Sequence, residues 1–402
     1  MQSDRADGGR SGDSSLLRRL NRAAALQAFL DAEALTPREL RDAVGVSRPT
    51  AEELLTDLLA EGWVEETTAR RQAGAGRTPG RPARQFRFRA SAGYTTGIDI
   101  GAHKTMTVVT DLRGNTLARH RVELDPESTA DERLRIVTDA VQHIWRKTHL
   151  VPEDIIGIAC GVTGALRVSD RVQDVRQGPV GSDLTVYSLP GFTEVDVPAV
   201  LAEGLGRPVT VANDVKLAAL AEHWKGAAQQ YRDVVYMFAG HRAGAGVLIN
   251  GEVHQGRHGV AGEIGTLPML GWAQAVDDLH RRGSELAAAQ GIAPGSEGEL
   301  VIASAALQDP ESQRVLTAFT EVLARGAAVL ALAVDPEVII LGGGMSRGGA
   351  IIAEPFRREL AKHTLVPIEV AISTMGADSV ALGAARLALD AFITDLLTVP
   401  GA

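Results

Sequence analysis

At 402 residues the chain exceeds the size that one hydrophobic core sustains, so two or more domains are expected, and its 45% apolar content is ordinary for a globular protein. The single cysteine, Cys160, excludes an internal disulfide framework and any zinc site built from several thiolates. The net charge of −9 is unevenly spread: residues 1–90 carry 15 Arg and no Lys against 13 acidic residues, whereas the remainder carries 26 basic and 37 acidic residues. An arginine-rich front and an acidic back leave nucleic-acid binding open to the front alone. Apolar stretches such as 327–334 are too short to cross a bilayer, and the opening MQSDRADGGRSGDSS has no apolar signal core, which predicts a cytoplasmic protein with no membrane partner.

Residues 1–14 form a polar tail expected to be disordered, and residues 15–90 read as a winged helix-turn-helix. Residues 16–32 have helical periodicity, with Leu17, Leu20, Ala24, Leu26 and Phe29 toward one side. A second helix opens at Thr36-Pro37-Arg38-Glu39, where Thr36 is the N-cap and Glu39 closes a capping box, and it stops around Val44-Gly45-Val46. Ser47 then caps a third helix over residues 48–61, with Leu54, Leu55, Leu58 and Leu59 as its buried stripe. Two short helices joined by a tight turn place the start of the second in the major groove, so Ser47, Arg48, Thr50 and Glu53 are the expected base and phosphate contacts. Trp63-Val64 and residues 85–89 read as wing strands. Between and along them lie Arg70, Arg71, Arg77, Arg81, Arg84, Arg87 and Arg89 among glycines, and Arg77 and Arg81 are candidate contacts to the minor groove or the phosphates.

From residue 91 to the end the pattern is strand, hairpin and helix. A short apolar strand over 96–100 turns through Gly101-Ala102-His103-Lys104 into residues 105–111, and a second turn leads into 116–123. The device returns at residues 234–239, which run through Gly240-His241-Arg242 toward residues 247–249 and an Asn250-Gly251 turn. A long apolar helix over 313–334 ends before Pro336, ahead of a buried strand at 338–341. Cys160, in an apolar run, is expected to be a buried small hydrophobe. Two halves that each open with a glycine-turned hairpin imply a duplicated α/β domain with a cleft between its lobes.

The wing's Gly80-Arg81-Pro82, the opening Gly97-Ile98-Asp99-Ile100-Gly101, and Ala212-Asn213-Asp214-Val215 leading into Leu217-Ala218-Ala219-Leu220-Ala221-Glu222 recur in order with three further motifs. These are Gly256-Arg257-His258-Gly259-Val260-Ala261-Gly262-Glu263-Ile264-Gly265, Leu341-Gly342-Gly343-Gly344 and Leu382-Gly383-Ala384-Ala385. With these motifs the chain resembles the ROK family (repressors, open reading frames and sugar kinases), in its helix-turn-helix repressor branch. The resemblance implies an actin-like, ribonuclease-H-like fold over residues 91–402, a sugar site at the cleft, and a homodimer or homotetramer.

In sugar kinases of this type the aspartate matching Asp214 takes the proton from the attacking sugar hydroxyl, and a carboxylate suits plain sugar binding equally well. Asn213, Asp214, His258 and Glu263 are therefore the candidate sugar-binding residues. Asn213-Asp214 can also cap the helix that follows, and His258 and Glu263 can also be read as solvated loop residues. Departures from the family pattern bear on catalysis: Ala102-His103 replaces a Gly-Thr pair, and Gly240-His241-Arg242 a Gly-Thr-Gly turn, at places where the backbone must approach phosphates. Lys216 stands where a second asparagine is common, and Ser188 where a sugar-contacting asparagine is common. Thr266 replaces the zinc histidine, and residues 267–282 contain no cysteine, so no metal or other cofactor is expected. The sequence thus predicts a DNA-binding regulator of carbohydrate metabolism, a repressor released from double-stranded operator DNA by a sugar or sugar derivative and not an enzyme. The alternative is an active ATP-dependent sugar kinase that also carries a DNA-binding domain, with Asp214 as its catalytic base.

Overall fold

The computed structural model describes residues 9–67, 84–166, 184–185, 189–239, 243–292 and 297–399. The described residues fall into two compact units, one drawn from residues 1–94, 110–115 and 389–402 and the other from residues 95–109 and 116–388.

The smaller unit holds α1 (Gly9–Asp31), α2 (Pro37–Val44), α3 (Arg48–Ala60), β1 (Val64–Thr67) and β2 (Gln85–Phe88). α1 begins inside the segment expected to be a disordered tail, because a nucleated helix extends through polar residues at one hydrogen bond per residue added. At the start of α2 the Thr36 hydroxyl accepts from the Glu39 amide (3.2 Å) while the Glu39 carboxylate accepts from the Thr36 amide (2.7 Å), so the predicted capping box forms. Leu26, Phe29, Leu40, Leu58, Phe86 and Phe88 are fully buried and make the core. β1 and β2 pair antiparallel from Val64 opposite Phe88 to Thr67 opposite Gln85. The 110–115 turn contributes Arg113, whose guanidinium donates to the carbonyls of Phe29 (3.0 Å) and Ala32 (2.8 Å) and so satisfies acceptors left over at the end of α1. The C-terminal segment contributes Phe392, whose ring lies 5.7 Å from that of Trp63.

The larger unit carries two five-stranded sheets built on the same plan. In the first, β3 (Tyr94–Ile100), β4 (Lys104–Asp111) and β5 (Thr116–Glu123) are followed by α4 (Ala130–Lys147) and β6 (Ile155–Val162). The short β7 (Ala165–Leu166) and β8 (Leu184–Thr185) pair with each other, and α5 (Val197–Leu205) leads to β9 (Val209–Asn213) and α6 (Asp214–Lys225). The second begins with β10 (Val234–Ala239), β11 (Ala243–Ile249) and β12 (Glu252–Val253). After them come α7 (Trp272–Gln290), α8 (Glu297–Ala306) and α9 (Pro310–Val334), then β13 (Val338–Gly342), α10 (Ala350–Leu360), β14 (Glu369–Ile372) and α11 (Ser379–Leu397). The spatial orders are β5-β4-β3-β6-β9 and β12-β11-β10-β13-β14, the same 3-2-1-4-5 arrangement twice. In each half the fourth and fifth strands run parallel. That repetition is the duplicated α/β architecture expected from the two glycine-turned hairpins.

α9 corrects one reading of the sequence. It starts at Pro310, and an 18-residue stretch of its 25 residues, at a mean hydropathy of 1.7, is long and apolar enough to pass for a membrane span by length and composition. Val315, Leu316, Phe319, Leu323 and Ala327 instead pack into the core of the larger unit, where a fully apolar helix face belongs. Gly383 on α11 shows why the Leu-Gly-Ala-Ala motif needs its glycine: a β-carbon there would lie 1.9 Å from the Leu217 carbonyl on α6. α11 and α6 can approach this closely only without that side chain.

Candidate functional site

The junction of β9 and α6 forms the centre of the site. Asn213 is both the last residue of β9 and the N-cap of α6: its carbonyl oxygen accepts from the Lys216 amide (3.0 Å), and its NH2 donates to the Gly164 carbonyl (2.8 Å). Both ends of this buried side chain are thereby tied to the protein, which fixes the next residue, Asp214, at the head of the helix. The Asp214 carboxylate accepts from the Thr163 hydroxyl (2.8 Å) and from the Val215 amide (2.8 Å). Burial pushes its pKa from 3.8 up to about 6; these two hydrogen bonds oppose the rise and the charge of Glu263 adds to it. Asp99, buried near the end of β3, is pushed up to about 7 by burial, with Lys104 opposing and Asp214 adding. Asp99, Asp214 and Glu263 thus share one electrostatic environment.

Glu263 comes from the glycine-rich segment that follows β12. Gly262, just before it, has a φ of +88° and no room for a β-carbon, which would sit 1.9 Å from the Ala245 carbonyl on β11. The Gly262 carbonyl accepts from the Ala245 amide (2.9 Å), so the backbone that carries Glu263 lies directly against the second sheet. His258 lies on the same segment and is exposed. The structure brings Asp214 and Glu263 together and places Asn213 as the support beneath Asp214. Sequence reasoning missed Thr163, which lies in the Gly161-Val162-Thr163-Gly164 run beyond a buried strand and becomes visible only when β6 pairs with β9. Ser188, Gly240, His241 and Arg242 lie outside the described residues. Zinc does not fit the place where the family binds it, since the Thr266 hydroxyl donates to the Glu263 carbonyl (2.7 Å) and no thiolate lies in 267–282. Cys160 is buried in β6.

The candidate nucleic-acid surface is the exposed side of α3. The Ser47 hydroxyl caps the helix and lies 2.8 Å from the Thr50 hydroxyl. The Arg48 side chain is 81% exposed and bonds Glu52 (2.9 Å). Glu53 lies 3.2 Å from Arg18 on α1, which also holds Asp57 (2.8 Å), and Arg22 holds Glu61 (2.6 Å). An acidic stripe on α3, spaced four residues apart, is therefore paired with two arginines one turn apart on α1. Across β1 and β2, Arg84 pairs with Glu66 and Arg87 with Glu65. Arg77 and Arg81 lie outside the described residues.

A duplicated sheet plan with a capped aspartate at a strand-to-helix junction defines an α/β protein of the actin-like, sugar-kinase type. The chain belongs to the ROK family, whose model matches residues 95–391. It is similar to the xylose repressors of Caldicellulosiruptor bescii (22% identical, covering 97% of this chain and 99% of that one) and Bacillus subtilis (24%, 96% and 99%). It is also similar to a glucokinase of Halalkalibacterium halodurans (24% identical), over 72% of this chain and 93% of that one. Among solved structures, a ROK family transcriptional regulator described as a homolog of the E. coli MLC protein superposes with a TM-score of 0.70. It is 20% identical and covers 95% of this chain and 98% of that one. A ROK family glucokinase from Streptomyces griseus, solved with glucose and AMPPNP, superposes with a TM-score of 0.57, at 25% identity over 74% of this chain and all of that one.

Proposed function

We propose that this protein is a transcriptional repressor whose hold on operator DNA is set by a sugar bound beside Asp214. The observation that carries this reading is coverage. The xylose repressors align over 96–97% of the chain, its arginine-rich front included, whereas the glucokinases align over 72–74%. In this reading residues 15–90 are a winged helix-turn-helix whose α3 enters the major groove, with Ser47, Arg48, Thr50 and Glu53 at the groove and the arginines of the wing, Arg77 and Arg81 among them, on the backbone. Asp214, Glu263 and His258 take sugar hydroxyls, and Asn213 aims Asp214. A homodimer or homotetramer in the cytoplasm would bind two half-sites. The sugar shifts the DNA-bound population only by its difference in affinity between the two states.

The test is an operator gel shift titrated with pentoses and hexoses, xylose first. Release by one sugar at millimolar concentration or below supports the proposal, and operator binding that no sugar alters overturns it. One observation favours a second reading, sugar phosphorylation: a carboxyl at about 6 is suited to act as a general base near neutral pH. Steady ADP release with a hexose, lost in Asp214→Ala, would establish that activity.

A further inference from the structure

Lys216 has the chemistry of a surface residue and the position of a core one. Only 3% exposed, it lies in the first turn of α6, two residues after Asp214. Its ammonium donates to the carbonyls of Gln255 (3.1 Å) and Gly259 (2.7 Å), the two ends of the turn that carries His258. Burial lowers its pKa, and the negative charge of Glu263 works against that lowering.

Beyond the Ala245 amide that holds Gly262 to β11, the segment it holds has little of its own to keep it in place. Gly256, Gly259 and Gly262 all have left-handed φ values, between +70° and +88°, which cost the most conformational freedom to fix. The hydrogen bonds within the segment are long: Gly259 to Gly256 and Ala261 to Gln255 at 3.4 Å, and Glu263 to Val260 at 3.2 Å. The lysine bonds are the shorter ones and are charge-assisted, and inside the protein such bonds outweigh neutral ones. A shorter side chain at this place, such as asparagine, would not span from the α6 backbone to those carbonyls.

We infer that Lys216 is a positioning residue for the effector site, a cationic latch that ties the Gln255–Glu263 segment to the same helix turn that presents Asp214. The two carboxylates then meet the sugar at a preset separation, so less ordering is left for the ligand to impose. Glu263 and the two carbonyls favour the charged ammonium in place of the water it has lost. The inference rests on the sugar-site reading above, but half of it can be tested without any sugar.

The experiment is hydrogen exchange on the full-length protein, wild type and Lys216→Met, followed by xylose calorimetry and operator binding. In Lys216→Met, amides 256–263 are expected to exchange at least tenfold faster while those of β10 and β13 keep wild-type rates. Xylose should bind at least fivefold more weakly, and sugar-free operator affinity should stay within twofold. Lys216→Arg, which keeps the charge and the donors, should restore loop protection to within threefold of wild type. Wild-type rates at 256–263 in Lys216→Met, or acceleration spread evenly over the larger unit, would overturn the latch. If Lys216→Met does not fold, the wild-type protein alone decides, because a latched loop exchanges slowly without sugar and an unlatched one at the rate of an open loop. Should no sugar bind the wild type, the exchange result still judges the latch, and only the sugar-site reading fails.

Discussion

Asp214→Asn should make the protein more stable at neutral and alkaline pH while removing its response to sugar. The wild-type carboxyl is raised from 3.8 to about 6, so the folded state holds its proton more tightly than the unfolded chain does. The stability associated with the protonated form is therefore fully present below about pH 4 and is lost as the pH rises through about 6. At about 1.4 kcal/mol per pH unit, the rise corresponds to about 3 kcal/mol. Asp214 keeps a partly open face, which screens some of this and leaves about 1–3 kcal/mol. Asparagine is uncharged throughout and can still accept one of the hydrogen bonds from Thr163 and Val215. Urea unfolding of both proteins between pH 4 and 8 should give nearly equal stabilities at the acid end and a variant more stable by about 1–3 kcal/mol at pH 8. Asp99, raised to about 7, titrates in both proteins and largely cancels in the difference. A variant less stable than wild type at pH 8, or a difference that does not change with pH, would refute the burial of this charge.

Arg48→Ala should weaken operator binding roughly tenfold and reduce the slope of log affinity against log salt by about one, as read by fluorescence anisotropy at several salt concentrations. Arg22→Ala, which frees Glu61 just past the end of α3 and touches none of the proposed groove residues, should change the operator dissociation constant by less than about threefold in the same assay. Gly262→Ala forces a β-carbon onto the Ala245 carbonyl and displaces Glu263, so calorimetry should show sugar affinity down by about tenfold or more, with thermal stability reduced. Arg113→Ala leaves the Phe29 and Ala32 carbonyls at the end of α1 without their charged donor. It should cost about 1.5–3 kcal/mol, seen as faster proteolysis within the first 67 residues.

Much of the fold was legible because its signals are local. The Thr36-Pro37-Arg38-Glu39 capping box and the turn at Gly45 satisfy backbone groups within a few residues, and the Asn-Gly turn at 250–251 is marked by two residues suited to positive φ, so sequence alone locates them. The start of α1 was misplaced because polar residues extend a helix without leaving an apolar trace. α9 was underestimated because an apolar helix buried on one face and a membrane span share a composition, and only packing separates them. In the site, Asn213, Asp214 and Glu263 could be read from their motifs, but the partners that fix them could not. Thr163 reaches Asp214 only through the pairing of β6 with β9, 51 residues apart in sequence, and Lys216 reaches Gly259 across 43 residues. Arg113 capping α1 is a contact 81 residues long, invisible to any local pattern.

The most direct test is operator affinity measured by anisotropy with and without xylose and a panel of other aldoses, for the wild type and for Asp214→Ala. At least one sugar should weaken the wild-type complex tenfold or more and leave the Asp214→Ala complex unmoved, with sugar-free affinities equal. A wild-type protein whose operator affinity no sugar changes, or a variant that responds as the wild type does, would contradict the assignment of the effector site to Asp214.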